Sequence, residues 1–161
     1  MAIETITKQG VLIIDPQPNM AMLVATMLRS LGRRDIREAN DAGQAMLELR
    51  RRIFDVIVLD DGIAGSDAVD LVRRIRGDHN CQNRLVPIIM MAAAPDAARI
   101  AAARDAGVTE FLRKPFAANH LKSRLDHIEA NPRGFVDAGS YAGPDRRRRK
   151  LDIGAADRRG R

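Results

Sequence analysis

The chain has little of what specialised sites are built from. It holds one cysteine, no tryptophan, one tyrosine and four phenylalanines in 161 residues. A lone Cys81 excludes an internal disulfide framework. It lies close to His79, but no second such pair completes a zinc site. With so few aromatics, the core must be made of Leu, Ile, Val, Met and Ala. No apolar run approaches the roughly 18–20 residues that span a bilayer, and residues 1–9 are mixed and polar, unlike a signal peptide. A soluble, cytoplasmic protein with no membrane partner is expected. There is no glycine-rich phosphate loop, no Ser/His/Asp arrangement and no aromatic pair to sandwich a flavin, so an enzyme is not expected.

What is present is an apolar content of 45% and a net charge of +6. The first is enough for a real core in one domain. The second is unevenly placed: from residue 131 onward, eight arginines and one lysine oppose four aspartates, which leaves the preceding body nearly neutral. An anion-binding role is therefore sought first in the tail.

Short apolar runs alternate with helical patterns. Residues 11–14, 36–39, 56–59, 87–91 and 110–112 read as strands. Between them the spacing predicts helices over 19–31, from Asp41 to Arg52, from Ser66 or Asp67 to Gly77, and from Asp96 to Ala106, with a last one over 118–128. The aspartates serve as caps and Gly32 and Gly107 as stops. Alternation of this kind predicts an α/β fold, a flavodoxin-like five-stranded parallel sheet of order 2-1-3-4-5 with helices on both faces. Asp15, Asp60, Ala92 and Lys114 all fall at strand ends and should converge at the carboxyl edge of the sheet. From Gly134 no hydrophobic period survives, and the basic tail is expected to be disordered until it binds something. The chain thus divides into a lead (1–9), a domain (10–130) and an arginine-rich tail (131–161).

Several pieces together carry a resemblance. They are Val11-Leu12-Ile13-Ile14-Asp15, Asp55-Val56-Ile57-Val58-Leu59-Asp60, Gly65-Ser66-Asp67, Pro87-Ile88-Ile89, and the run from Ala106 through Gly107-Val108-Thr109-Glu110-Phe111-Leu112-Arg113-Lys114-Pro115-Phe116. In this order, over residues 10 to about 130, the chain resembles the receiver domain of bacterial response regulators, the CheY-like family. The resemblance implies that Asp60 is the acceptor of a phosphoryl group from a histidine kinase. It implies a magnesium ion held by Asp15, Asp60 and the carbonyl of Gly62, Lys114 beside the acceptor, and a cis Lys114–Pro115 bond. It also implies a docking face over about residues 96–128.

Two parts depart from the family pattern. The acidic pair after the first strand reads Asp15-Pro16, so one carboxylate is missing and magnesium binding should be weakened. The switch hydroxyl after the fourth strand falls at Ala92, which cannot hydrogen-bond an oxyanion, and the partner aromatic is Phe111, a ring without a hydroxyl. Asp61 is not expected to replace the lost carboxylate, because side chains of successive strand residues point to opposite faces.

The tail contains Gly143-Pro144-Asp145-Arg146-Arg147 and Ala155-Ala156-Asp157-Arg158-Arg159, and Arg148, Arg149 and Lys150 extend the first piece. Arginine presents a planar fork that matches phosphate and the O6/N7 edge of guanine. An adjacent Asp can accept from guanine's N–H edge, whereas duplex phosphates would repel it. This arrangement resembles CheY-like proteins whose arginine-rich extension binds cyclic di-GMP and which are associated with the flagellar motor. On that resemblance Arg146, Arg147, Arg158 and Arg159 contact guanine edges and phosphates, Asp145 and Asp157 read guanine N–H groups, and Tyr141 stacks on a base.

The expected function is a stand-alone, degenerate receiver that acts as a docking adaptor for a protein partner, a motor component or a kinase, under control of cyclic di-GMP. A conventional phosphorelay receiver with an incidental tail is the competing reading. A nucleic-acid-associated basic arm is a third and is disfavoured, because no helix-turn-helix follows Ile128.

Overall fold

The computed structural model describes residues 10–130, 135–138 and 141–144. Five strands, β1 (Gly10–Ile14), β2 (Ile36–Ala39), β3 (Phe54–Asp60), β4 (Ile88–Ala92) and β5 (Glu110–Arg113), pair in parallel in the order β2-β1-β3-β4-β5. Five helices connect or follow them: α1 (Pro18–Ser30), α2 (Ala42–Arg51), α3 (Ala68–Gly77), α4 (Ala97–Ala106) and α5 (Ala118–Ala130). This is the expected doubly wound sheet, with its strand order reversing between β1 and β3.

The continuous apolar runs resolve into two faces. Leu12, Ile14, Ile57, Leu59, Ile88 and Met90 pack into one layer with residues of α2, α3 and α4. Their strand neighbours Val11, Ile13, Val56, Val58, Ile89 and Met91 pack into the other with α1 and α5. Period-two alternation puts successive residues on opposite faces, and helices on both sides make both faces apolar.

The helix ends follow local chemistry. Asp41, Asp67 and Asp96 accept backbone N–H bonds at the starts of α2, α3 and α4. Of the two residues offered for α3, Asp67 is the cap. Gly107 ends α4 at φ +116°, a left-handed conformation that favours glycine.

Part of the segment expected to be disordered is ordered. Strands β6 (Phe135–Ala138) and β7 (Tyr141–Pro144) pair antiparallel, Ala138 opposite Tyr141, and β7 packs against α3 and α4. The physical reason lies in the backbone: a hairpin satisfies its own N–H and C=O groups, and a docked helix pair supplies the second surface that an isolated hairpin lacks. Residues 145–161, which carry Asp145 to Arg149 and Asp157 to Arg159, lie outside the described residues. Among the described residues, no helix is long and apolar enough to cross a membrane.

Candidate functional site

At the carboxyl edge of the sheet, Asp60, Asp61, Gly62, Met91, Ala92 and Lys114 line a cleft of about 520 Å³, closed on the other side by residues 93–96 and Arg99. The cleft lies just past the β1/β3 reversal, where doubly wound sheets leave room for a ligand. Asp60 is the last residue of β3 and only 6% exposed. Its Oδ1 accepts from the Lys114 ammonium, and its Oδ2 accepts from the Gly62 N–H at 2.8 Å. A Cβ on residue 62 would stand 3.1 Å from that same Oδ2, so this backbone approach is easiest for glycine. Lys114 follows β5, its own N–H donating to the Ala92 carbonyl at 2.9 Å, and the Lys114–Pro115 bond is cis.

Asp15 is 1% exposed. Its Oδ1 accepts from the Gln17 N–H at 2.8 Å, while Oδ2 is buried without a hydrogen-bond partner. Burial pushes its carboxyl above the usual range, the Gln17 N–H opposes this, the charge of Asp60 adds to it and Lys114 offsets part of it. Asp15, Asp60 and Lys114 therefore share one electrostatic neighbourhood.

The implied magnesium can be weighed against these donors. Asp15 Oδ2 is an orphaned oxygen suited to a cation. Pro16 supplies no carboxylate, however, and both Asp60 oxygens are already engaged. Among the described residues, no group of three acidic, His or Cys side chains stands together as a metal site. The set falls short of the hard-oxygen cage that a divalent cation takes.

Ala92, in the hydroxyl position, lines the cleft with a methyl group. Phe111 is not in the cleft; it is half-buried on β5 against the α2–α4 side of the core. Tyr141 lies in β7, and the remaining tail residues named above lie outside the described residues.

Sequence reasoning missed Arg99. Its guanidinium donates to Asp61 Oδ1, through Nε at 2.9 Å and through Nη2, and through Nη1 to Asp67 at 3.2 Å. One side chain on α4 thus ties the residue after the acceptor to the cap of α3. Burial pushes the Asp67 carboxyl up, but the Arg99 fork and the Val69 and Asp70 N–H groups outweigh it and hold it below the usual range. The side chain of Asp61 is not turned to the opposite face, as strand alternation predicts it should be. The strand ends at Asp60, so alternation no longer governs the next residue, and Asp61 lines the same cleft with its carboxylate paired to Arg99. Only an Asp-x-x-Arg spacing at the start of α4 hinted at this, and it names no partner on another element.

The comparisons with known proteins agree with this geometry. The family described as response regulator receiver domain matches residues 11–126. Chemotaxis protein CheY-3 of Vibrio cholerae is 35% identical over 118 residues, 73% of this chain and 89% of that protein. Chemotaxis protein CheY of Pseudomonas aeruginosa is 32% identical, over 73% of this chain and 94% of its own length. Among solved structures, the receiver domain of sensor histidine kinase PA1611 from Pseudomonas aeruginosa, with magnesium in its active-site cleft, is 30% identical. It superposes with a TM-score of 0.66 over 75% of this chain and 97% of its own. With the doubly wound sheet, the buried acceptor-position carboxylate and its lysine in place, the chain belongs to the response regulator receiver domain family.

Proposed function

We propose that this receiver acts as a docking adaptor whose controlling signal is cyclic di-GMP, bound by the arginine-rich tail. The observation that carries the reading is the β6–β7 hairpin. It is packed on α3 and α4, and the chain leaves it at buried Pro144 directly before Asp145-Arg146-Arg147-Arg148-Arg149. A ligand that orders the tail there would act next to α4, on the face over about residues 96–128 through which a motor component or a kinase would dock. Ordering would lower the affinity by its entropic cost while making the tail a switch.

A second reading, phosphoryl transfer to Asp60, is supported by the retained Asp60–Lys114 contact. Pro16 and Ala92 weigh against a full conformational response to it. The chemotaxis proteins to which the chain is similar make motility a natural setting for either reading.

Calorimetric titration of cyclic di-GMP into the full-length protein, with GTP and a short DNA duplex as controls, tests the first reading. Binding of the dinucleotide alone, lost on truncation after Asn131 and in Arg147→Ala/Arg159→Ala, is expected. Heat from the duplex that falls steeply with salt would instead favour a basic nucleic-acid arm. No heat with any ligand would sink the tail reading.

A further inference from the structure

We infer that Arg99 is an oxyanion ligand of the acceptor cleft, the residue that takes hold of a phosphoryl group on Asp60 where Ala92 offers no hydroxyl. The inference rests on the second reading above, that Asp60 accepts a phosphoryl group, and deepens it.

Charge on the lining residues points to Arg99. Three carboxylates, Asp60, Asp61 and Asp96, line the cleft against two cations, Lys114 and Arg99. A phosphoryl group on Asp60 replaces one negative charge by about two and adds three acceptor oxygens. Lys114 already serves Asp60 as a point charge. The donor set for a divalent cation is incomplete, and the side chain at position 92 cannot donate. Arg99 is the remaining cationic side chain in the lining. Its planar fork suits two phosphoryl oxygens, and it is weakly hydrated, so it leaves water at smaller cost than an ammonium.

Its present partners are ones it can give up. The Arg99 side chain is 29% exposed, and Asp61 and Asp67 are 23% and 46% exposed. A carboxylate released there regains water. Arg99 belongs to the first turn of α4, so a move from Asp61 to the phosphoryl group would carry the displacement to that helix. The backbone N–H of Arg99 is held separately by Asp96 at 2.7 Å, which leaves the guanidinium independent of the cap.

The group transfer balances without a redox partner. With phosphoramidate as donor, an Asp60 oxygen attacks phosphorus, the P–N bond breaks, a P–O bond forms and neutral ammonia leaves.

Full-length protein treated with phosphoramidate in magnesium buffer and followed by intact mass tests the inference. Arg99→Ala should lower the phosphorylated fraction and shorten its lifetime by about fivefold or more, and Arg99→Lys should recover part of the loss. Asp61→Asn should act in the opposite direction and raise the yield about twofold or more, because it frees the fork. A purely structural latch would lower both. Equal labelling of wild type and Arg99→Ala, or reduced labelling in Asp61→Asn, would overturn the role of Arg99 while leaving Asp60 as acceptor. No labelling of wild type would overturn both. Circular dichroism melts of each variant separate loss of folding from loss of the ligand, and Asp61→Asn keeps the sign test even if Arg99→Ala melts early.

Discussion

Two arginines sit at opposite ends of the same helix pair and do different work. Arg76, in the last turn of α3, is 1% exposed. Its guanidinium donates to the Gly107 carbonyl at 3.1 and 2.9 Å and to the Arg84 carbonyl at 2.7 Å. Arg84 returns a bond to the Arg76 carbonyl at 2.7 Å. Arg99, at the other end, holds two carboxylates and remains half-buried. The carbonyl of Gly107, at the end of α4, cannot leave without unfolding that helix end, whereas side-chain carboxylates near water can exchange partners. The pair α3–α4 is therefore pinned at the end far from the cleft and adjustable at the end beside it. That asymmetry is what a helix needs if it is to report on a site at one of its ends.

The largest effect expected from breaking this comparison is at the pinned end. Arg76→Met keeps the length and the apolar stem but strips the side-chain donors from two carbonyls, each of which costs about 1–3 kcal/mol if left buried and unpaired. A total loss of about 3 kcal/mol is expected, seen as a lower urea midpoint at unchanged slope. A loss under about 1 kcal/mol would mean that the helix pair is not pinned there.

How much of this was legible in the sequence divides along the same line. The five strands were legible because apolar runs such as Val56 to Leu59 sit between turn residues, and the helix caps because Asp41 and Asp96 precede periodic segments. Asp60 and Lys114 were placed by their positions at strand ends. Arg76, Arg84 and Arg99 were not legible. A charged residue on a helix reads as solvated, and only the three-dimensional return of Gly107 or Asp61 gives it a partner. The hairpin was missed for another reason. The spacer Gly139-Ser140 between Phe135-Val136 and Tyr141 is a short-range hairpin signal, but the charge of the residues that follow dominated the reading of the whole tail.

An intermediate effect is expected at Asp15, with a pH signature. Its folded carboxyl holds its proton more tightly than the unfolded chain does, chiefly because it is buried. The sign follows from proton linkage. Its contribution to stability is fully present below the ordinary carboxylate value near 3.8 and is lost as pH rises through the raised folded value. Asp15→Asn removes the buried charge and with it that loss, so it should stabilise the protein at neutral pH by about 1 kcal/mol. The advantage should shrink as pH falls toward 3.8. Denaturation midpoints of wild type and variant across that range decide it, and an advantage that grows on acidification would contradict the assignment.

The smallest effect on stability is expected at the adjustable end, and its smallness is informative. Arg99→Gln removes two partly exposed ion pairs, which contribute at most about 1 kcal/mol between them after solvent screening. The urea midpoint should barely move. Amide hydrogen exchange at the start of α4 should nevertheless quicken, because the helix loses its tie to Asp61 and Asp67 while its far end stays held through Gly107. Arg76→Met should show the reverse pattern, a large global change with no selective loss at the α4 start. If Arg99→Gln were as destabilising as Arg76→Met, the cleft end would be as fixed as the far end, and α4 would have no freedom with which to respond.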